Sequence, residues 1–399
     1  VVKATYTVEL ATANGANPVT WSDITAYVQS IAITRGRDDV LSQVQTGTAR
    51  VTLINEDGRF SPGYTSSPLY GHVATMRAVR VTAARYTFAE LAALTFAQLA
   101  MLSFEDLATH SLYYGYIQSI TPVPTPNVRT CTLDLADGFA WLDLAVTTPT
   151  YTLVPTGTSI GVALDSASWP AGLRDLATGQ STITPSYTDQ SVLSQIQGIG
   201  IDNEAGLVYM SGAGNVVFQD RHTRLKTPYT VSQGTFTDTD ALVDVSAERP
   251  VRDIANEVKV THATGSVTAT DATSQAAKGP RRLAINAGFL DASTAADRAS
   301  WTLSTKKDEQ DRPVIGIVGN ASATLMTQVL ARDLSDRVTI TDAGAKTGIN
   351  AAFHIERIEH SISNGGTLHT VRWQLSPADG AGFWALDVSA LDTSTRLAY

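Results

Sequence analysis

Gly47-Thr-Ala-Arg-Val-Thr-Leu53, followed by Asn55-Glu-Asp-Gly-Arg-Phe-Ser-Pro62, is the stretch whose reading decides the fold. Ala49, Val51 and Leu53 are apolar at every second position. Side chains of an extended chain alternate between two faces, so this pattern predicts a strand with one buried face. Asn55-Glu-Asp-Gly58 then supplies residues that tolerate left-handed turn geometry and closes the strand. The same alternation recurs outward from this point. Ile31 and Ile33 precede it; Val79 and Val81, then Cys131, Leu133 and Leu135, follow. Residues 1–10 alternate as well. Pro122-Val-Pro-Thr-Pro126 lacks N–H groups where it would need them in a central strand, so it suits a loop or a sheet edge. Residues 1–150 therefore read as one β-rich block.

Composition agrees. The 399 residues are 43% hydrophobic and 17% charged, which is globular and too apolar for a disordered chain. That length predicts two to four compact units at roughly 100–200 residues each. Thr, Val and Ile are plentiful, and β-branched side chains favour a pleated surface over a helix. The 29 basic and 38 acidic residues give a net charge of −9, which excludes a surface built to grip duplex DNA. Cys131 is the single cysteine, so no intrachain disulfide exists. It alternates with Leu133, which predicts a buried, inert thiol. The opening residues lack the charged-then-apolar order of a secretory signal. No apolar run approaches the ~20 residues that cross a bilayer. The expectation is a soluble protein made in a cytosol.

One segment, 86–112, breaks the β pattern. From Thr87 to Leu112 there is neither Gly nor Pro, and an eight-residue unit recurs as Thr87-Phe-Ala-Glu-Leu91, Thr95-Phe-Ala-Gln-Leu99 and Ser103-Phe-Glu-Asp-Leu107. Each copy places a hydroxyl residue three before an acidic or amide residue, the spacing of a capping box. A cap every eight residues predicts three very short helices. In one continuous helix the Phe residues would spiral, since eight residues turn ~80° past full turns. Two readings stand: an insertion packed at a hairpin tip, or a docking element presenting Phe88, Leu91, Phe96, Leu99, Phe104 and Leu107 to a neighbouring protein.

Residues 151–244 mix helix and strand. Val192, Leu193, Ile196 and Ile199 share a helical face within Ser191–Ile201, with Asp189 as the expected cap. Leu207-Val-Tyr-Met210, a turn through Gly212 and Gly214, and Val216-Val-Phe218 read as a hairpin. A third block, 245–379, has strands near 257–262, 338–341, 352–362 and 370–375, and a helix near 323–336 carrying Met326, Val329, Leu330 and Leu334 on one stripe. Residues 380–399 hold Phe383, Trp384 and Leu386 in polar sequence, as in a tail that packs on something. The fold class is mainly β with α+β elements, in small barrels or sandwiches.

Catalytic patterns are missing: there is no G-x-S-x-G, H-E-x-x-H, C-x-x-C or Walker sequence. Gly198, Gly200 and Gly206 do not follow a strand as a dinucleotide fingerprint requires. Asn55-Glu-Asp-Gly58 begins like a calcium loop, but Ser66 stands where the closing glutamate belongs. His354, Glu356 and His360 would share a face of a regular strand. The apolar phase switches between Phe353/Ile355 and Ile358/Ile362, which predicts a bulge that breaks that alignment. No catalytic, cofactor or metal site is expected, and the pairs Arg35/Arg37 and Arg281/Arg282 read as salt-bridge or interface groups.

The ordered motifs carry a resemblance. Trp21-Ser-Asp-Ile24, Ile31-Ala-Ile-Thr-Arg-Gly-Arg37, Gly47–Leu53, Asn55–Pro62, Ser67-Pro-Leu-Tyr-Gly71, Arg77-Ala-Val-Arg-Val81 and Tyr114-Gly-Tyr-Ile117 resemble, in that order, minor tail proteins of tailed bacteriophages. Leu193-Ser-Gln-Ile196, Glu204-Ala-Gly206 and Asn215-Val-Val-Phe-Gln-Asp-Arg221 are similar to the family's helix and hairpin unit. Asn256-Glu-Val-Lys-Val260, Ser274, Gly279-Pro-Arg-Arg282 and Phe353-His-Ile-Glu-Arg-Ile-Glu-His360 are similar to baseplate hub proteins.

The resemblance implies two tail-tube-like β-barrel domains, 1–150 and 245–379, around a mixed middle domain at 151–244. It implies a homotrimer forming a pseudo-sixfold ring in the virion tail tip, assembled in the bacterial host cytoplasm without membrane insertion. Implied neighbours are a distal tail protein, a tape measure protein and other tail-tip or fibre proteins, with DNA passing through the lumen without specific binding. The insertion departs from the family's tight connection there. The short sequence after the third block departs too, and assigns lysis or receptor binding to another polypeptide. Rival readings are a hexameric distal tail protein, a carbohydrate-binding tail-tip adhesin and a tail-tip hydrolase.

Overall fold

The computed structural model describes residues 2–37, 42–125, 128–237, 240, 242–341, 348–378, 383–384 and 396–397. The alternating segments form the strands Val28–Gly36, Gln45–Ile54, Ala78–Ala84 and Arg129–Ala136. Ile31, Ile33, Ala49, Val51, Leu53, Val79, Val81, Cys131, Leu133 and Leu135 are all buried, so the period-two reading assigned the inner face correctly. Each Val, Leu or Ile among them stabilises by roughly 1.5–3 kcal/mol when fully buried. The Asn55 turn also feeds this core. Asn55 Oδ1 accepts from the Phe60 N–H at 2.9 Å, which directs the Phe60 ring inward. The Cys131 thiol donates to the Phe60 carbonyl at 3.4 Å, and burial pushes its pKa up to about 11.

Thirteen strands join in one sheet. Its path runs Leu242–Glu248, Arg312–Val318, Leu368–Pro377, Asn350–Ser363, Val28–Gly36, Gln45–Ile54, Arg129–Ala136, Thr109–Pro124, Ala78–Ala84, Thr5–Ala11, Trp21–Asp23. Neighbours on this path are antiparallel, and Arg337–Thr341 branches from Asn350–Ser363 to pair in parallel with Thr235–Thr237. The mainly β reading is therefore correct. The path has two ends, so among the described residues neither β-rich block closes into a hydrogen-bonded barrel. The blocks instead meet edge to edge, from Arg357 opposite Gly36 to Ser363 opposite Ser30. Pro122 and Pro124 lie in Thr109–Pro124 beyond the residues that pair with Ala78–Ala84, where only Arg129–Ala136 flanks the strand. Their missing N–H groups therefore leave no ladder bond unmade on that open side.

The middle residues pack the helices Gly138–Leu144, Thr156–Ser166 and Val192–Gln197 with the hairpin Leu207–Met210/Val216–Gln219. Phe139, Leu142, Ile160, Ile196 and Phe218 share a core with the third block. The Val192–Gln197 helix is capped by the Ser191 hydroxyl, which accepts from the Ser194 N–H at 3.2 Å. Asp189 is not the cap. It adopts φ 49° and bonds Thr148 across the loop. The expected 323–336 helix spans only Ala323–Ala331, because Arg332 turns extended and Ser335 takes φ 75°. Leu334 is still buried, but from the loop. The helices Gly138–Leu144, Thr156–Ser166, Ala272–Lys278 and Ala292–Lys306 were not foreseen. The last is the longest of them, and its N-cap Asp291 accepts from the Thr294 N–H at 2.8 Å. The side-chain contacts expected of Phe383, Trp384 and Leu386 lie outside the described residues.

Candidate docking site

Ala84 pairs with Thr109, so residues 85–108 project from the tip of a two-stranded hairpin. Three helices form there, Phe88–Ala92, Phe96–Leu99 and Phe104–Leu107. All three capping boxes are present, between Thr87 and Glu90, Thr95 and Gln98, and Ser103 and Asp106. At Thr87 the backbone N–H donates to Glu90 Oε2 at 2.7 Å, and the Thr87 hydroxyl accepts from the Glu90 N–H at 3.2 Å. The backbone bond from Thr87, then its hydroxyl, lowers the Glu90 pKa below the usual carboxylate range. Helices of four or five residues cannot persist on propensity alone, so these caps hold the turns.

The repeat places its rings alike. Phe88, Phe96 and Phe104 are 88%, 88% and 87% exposed, and none of the three helices contains a buried residue. Leu99 and Leu107 are exposed, and Leu91 is half-buried. All six expected residues thus lie on the projecting segment, with three rings in water.

The base of the insertion is held by ions. Asp106 pairs with Arg85 and accepts from the Thr327 hydroxyl, and Glu105 pairs with Arg332. Thr327 and Arg332 lie on and just after the Ala323–Ala331 helix. Burial raises the Asp106 pKa, but Thr327, Ser103 and Arg85 outweigh it and keep the group below its ordinary value. His110 Nε2 lies 2.9 Å from the Glu105 carbonyl. These anchoring residues were not foreseen. The available signal was the last repeat, where Glu105-Asp106 replaces Ala-Glu and Ala-Gln.

The other candidate cluster is dispersed by the expected bulge, which falls between Ile355 and Arg357. His354 Nδ1 lies 3.0 Å from the Ser335 carbonyl, and His360 Nδ1 lies 2.9 Å from His369 Nε2. Glu356 is buried between Arg37 and Arg224, at 2.8 and 2.6 Å. Among the described residues no group of three His, Cys, Asp or Glu side chains could hold a metal ion.

No family model matches the sequence, and no curated protein matches it. Solved structures do match. A tail protein from Neisseria meningitidis superposes with a TM-score of 0.61 at 12% identity, covering 94% of this chain and 98% of that one. The chain shares a tail-protein fold. A 43 kDa tail protein of a Shewanella oneidensis prophage gives 0.56 at 12% identity with the same coverage, 94% and 98%. A Listeria monocytogenes prophage tail protein gives 0.51 at 8% identity, covering 92% and 94%. A tail-protein fold thus accounts for both β-rich blocks and the middle residues together, not for one block alone.

Proposed function

We propose that this protein is a structural component of a phage tail, a hub at the tail tip whose three copies form a ring continuing the tail tube. The observation that carries the reading is similarity to two tail proteins, one of them from a prophage, over 94% of the chain. A distal tail protein would be matched by the N-terminal block alone, whereas here the middle and third blocks align as well. In this reading residues 1–150 and 245–379 are the two tail-tube-like units of each copy, with 151–244 between them. The sheet path ends at Leu242–Glu248 and Trp21–Asp23. Open strand edges are ready templates for pairing, which suits closure of the ring by neighbouring copies. The net charge of −9 suits a wall past which DNA and a tape measure protein slide, because weak attraction does not retain a polyanion.

In the same reading the insertion docks an adjacent tail protein. Three exposed Phe rings at equal sequence spacing form an apolar row of the kind that interfaces bury, and aromatic residues dominate interface energetics. The test is an assembly experiment with Phe88, Phe96 and Phe104 all changed to Ser. The expected variant is folded, forms the ring and fails to retain its neighbour in purified tails. Tails of normal composition and infectivity would refute the docking role and leave the ring untouched.

A further inference from the structure

A cleft of about 370 Å³ lies between the Ala292–Lys306 helix, the Arg282–Asn286 strand and the residues after the Leu207–Gln219 hairpin. Its volume falls at the small end of ligand sites, about 300–1,000 Å³. Arg298, Trp301, Thr302, Thr305 and Lys306 line it, at spacings of three and four that put them on one helical face. Leu283 and Ile285 stand opposite as the apolar wall. Asp202 and Asp220 also line the cleft, but among the described residues no carboxylate oxygen lies within ion-pair distance of the two buried cations, Lys306 and Arg298.

Lys306 is only 7% exposed, and its Nζ makes no hydrogen bond or ion pair with any described residue. The acids nearest it are engaged elsewhere. Glu356 is held by Arg37 and Arg224, and Asp253 pairs with Arg312. Burial first, then repulsion from Arg37 and Arg312, brings the Lys306 pKa down to about 8, with Glu356 and Asp253 offsetting only part. Arg298 donates to the Ile201 and Asp202 carbonyls at 3.2 and 3.4 Å and to the Thr302 hydroxyl. Among the described residues no carboxylate oxygen lies within ion-pair distance of it. An unpaired buried charge destabilises a fold, and an apolar side chain of similar length would fill the same space without that cost. A lysine held in a cleft against its own stability is a mark of a binding site.

We propose that this cleft binds a small organic anion, its acidic head on Lys306 and its apolar body against Trp301, Leu283 and Ile285. The anion supplies the acceptor that Lys306 lacks. The proposal goes beyond the tail role and does not depend on it.

Calorimetric titration of the full chain with phenyl phosphate and with benzoate tests it, with phenol and inorganic phosphate as controls. At least one of the two aromatic anions binds and raises the melting temperature, more tightly than inorganic phosphate; phenol does not bind. Which anion binds identifies the head group. Lys306→Met weakens binding by about tenfold or more, the loss of one charge-assisted hydrogen bond. Lys306→Arg keeps most of it. Without ligand, Lys306→Met melts higher than the parent, because it removes an unpaired buried charge. The proposal is overturned if neither anion binds at about 10 mM, a concentration that detects even millimolar affinity. It is also overturned if phenol or inorganic phosphate binds as well, if Lys306→Met binds unchanged, or if that variant melts lower or fails to fold.

Discussion

Glu356 joins the two β-rich blocks through charge. Its Oε2 accepts from Arg37 at 2.8 Å, and its Oε1 accepts from Arg224 and Ser376 at 2.6 Å each. Burial raises its pKa, but Arg224 and Arg37 outweigh burial and hold it well below the usual carboxylate range. Glu356→Gln keeps the shape and leaves the buried Arg37 and the half-buried Arg224 without this counter-charge, so a loss of about 3 kcal/mol is expected in urea denaturation. A loss below about 1 kcal/mol would mean the network contributes only surface-like pairing. The buried histidines set the acid limit. Burial lowers His354 and His369 to about 3, and burial with His369 and Arg35 holds His360 well below its ordinary value. All three are neutral in the fold, whereas the unfolded chain binds protons below about 6.5. Their contribution is therefore full above pH 6.5 and is lost as pH falls toward 3. Asp137 and Asp336, raised by burial to about 7 and about 6, act in the opposite direction. Burial raises Asp202 too, but the three histidines dominate between pH 5 and pH 7.5, so the urea midpoint at pH 5 lies below that at pH 7.5. An equal or higher midpoint at pH 5 would contradict this.

At the scale of elements, the seam between Val28–Gly36 and Asn350–Ser363 depends on Gly36. It takes φ 111°, and a Cβ there would stand 2.1 Å from the Glu356 carbonyl oxygen. Gly36→Ala combines left-handed strain with a backbone clash, so a loss of about 3 kcal/mol is expected. A thermal melt within a degree of the parent would show that the seam relaxes. The insertion behaves oppositely. The triple Phe88, Phe96 and Phe104 to Ser change removes no buried contact, so stability should move by less than about 0.5 kcal/mol. The sequence made some of these elements legible and hid others. Ala49, Val51 and Leu53 displayed their inward face, and the three Thr or Ser caps announced three helices. The phase switch between Ile355 and Ile358 located the bulge. Alternation specifies a face but not a neighbour, so the pairing of Gly36 with Arg357 was invisible. The Ala292–Lys306 helix escaped because its inward residues are Ala295, Ala299 and Thr302, too small and polar to make an apolar stripe. Its Asp291 cap and the absence of Gly and Pro from 289 to 312 were the available signals. The exposed Phe and Leu residues of the insertion were legible as a repeat. Their anchor, Asp106 on Arg85 and Glu105 on Arg332, required knowing which helix the hairpin tip meets.

At the scale of the molecule, one sheet carries both β-rich blocks, and its middle is stapled by Arg37, Glu356 and Arg224. A rigid double unit of this kind is what a three-copy ring with six similar positions requires, because each copy must present two walls in fixed relation. In the proposed ring the ends of the sheet, Leu242–Glu248 and Trp21–Asp23, would be the surfaces through which copies meet. The helical insertion projects from the tip of the Ala78–Ala84 and Thr109–Pro124 hairpin, and in the proposed role it would meet a different protein there. Native mass measurement of the intact chain tests the central claim most directly. The account predicts three copies; six copies would indicate a distal tail ring, and a persistent monomer at assembly concentrations would contradict the hub.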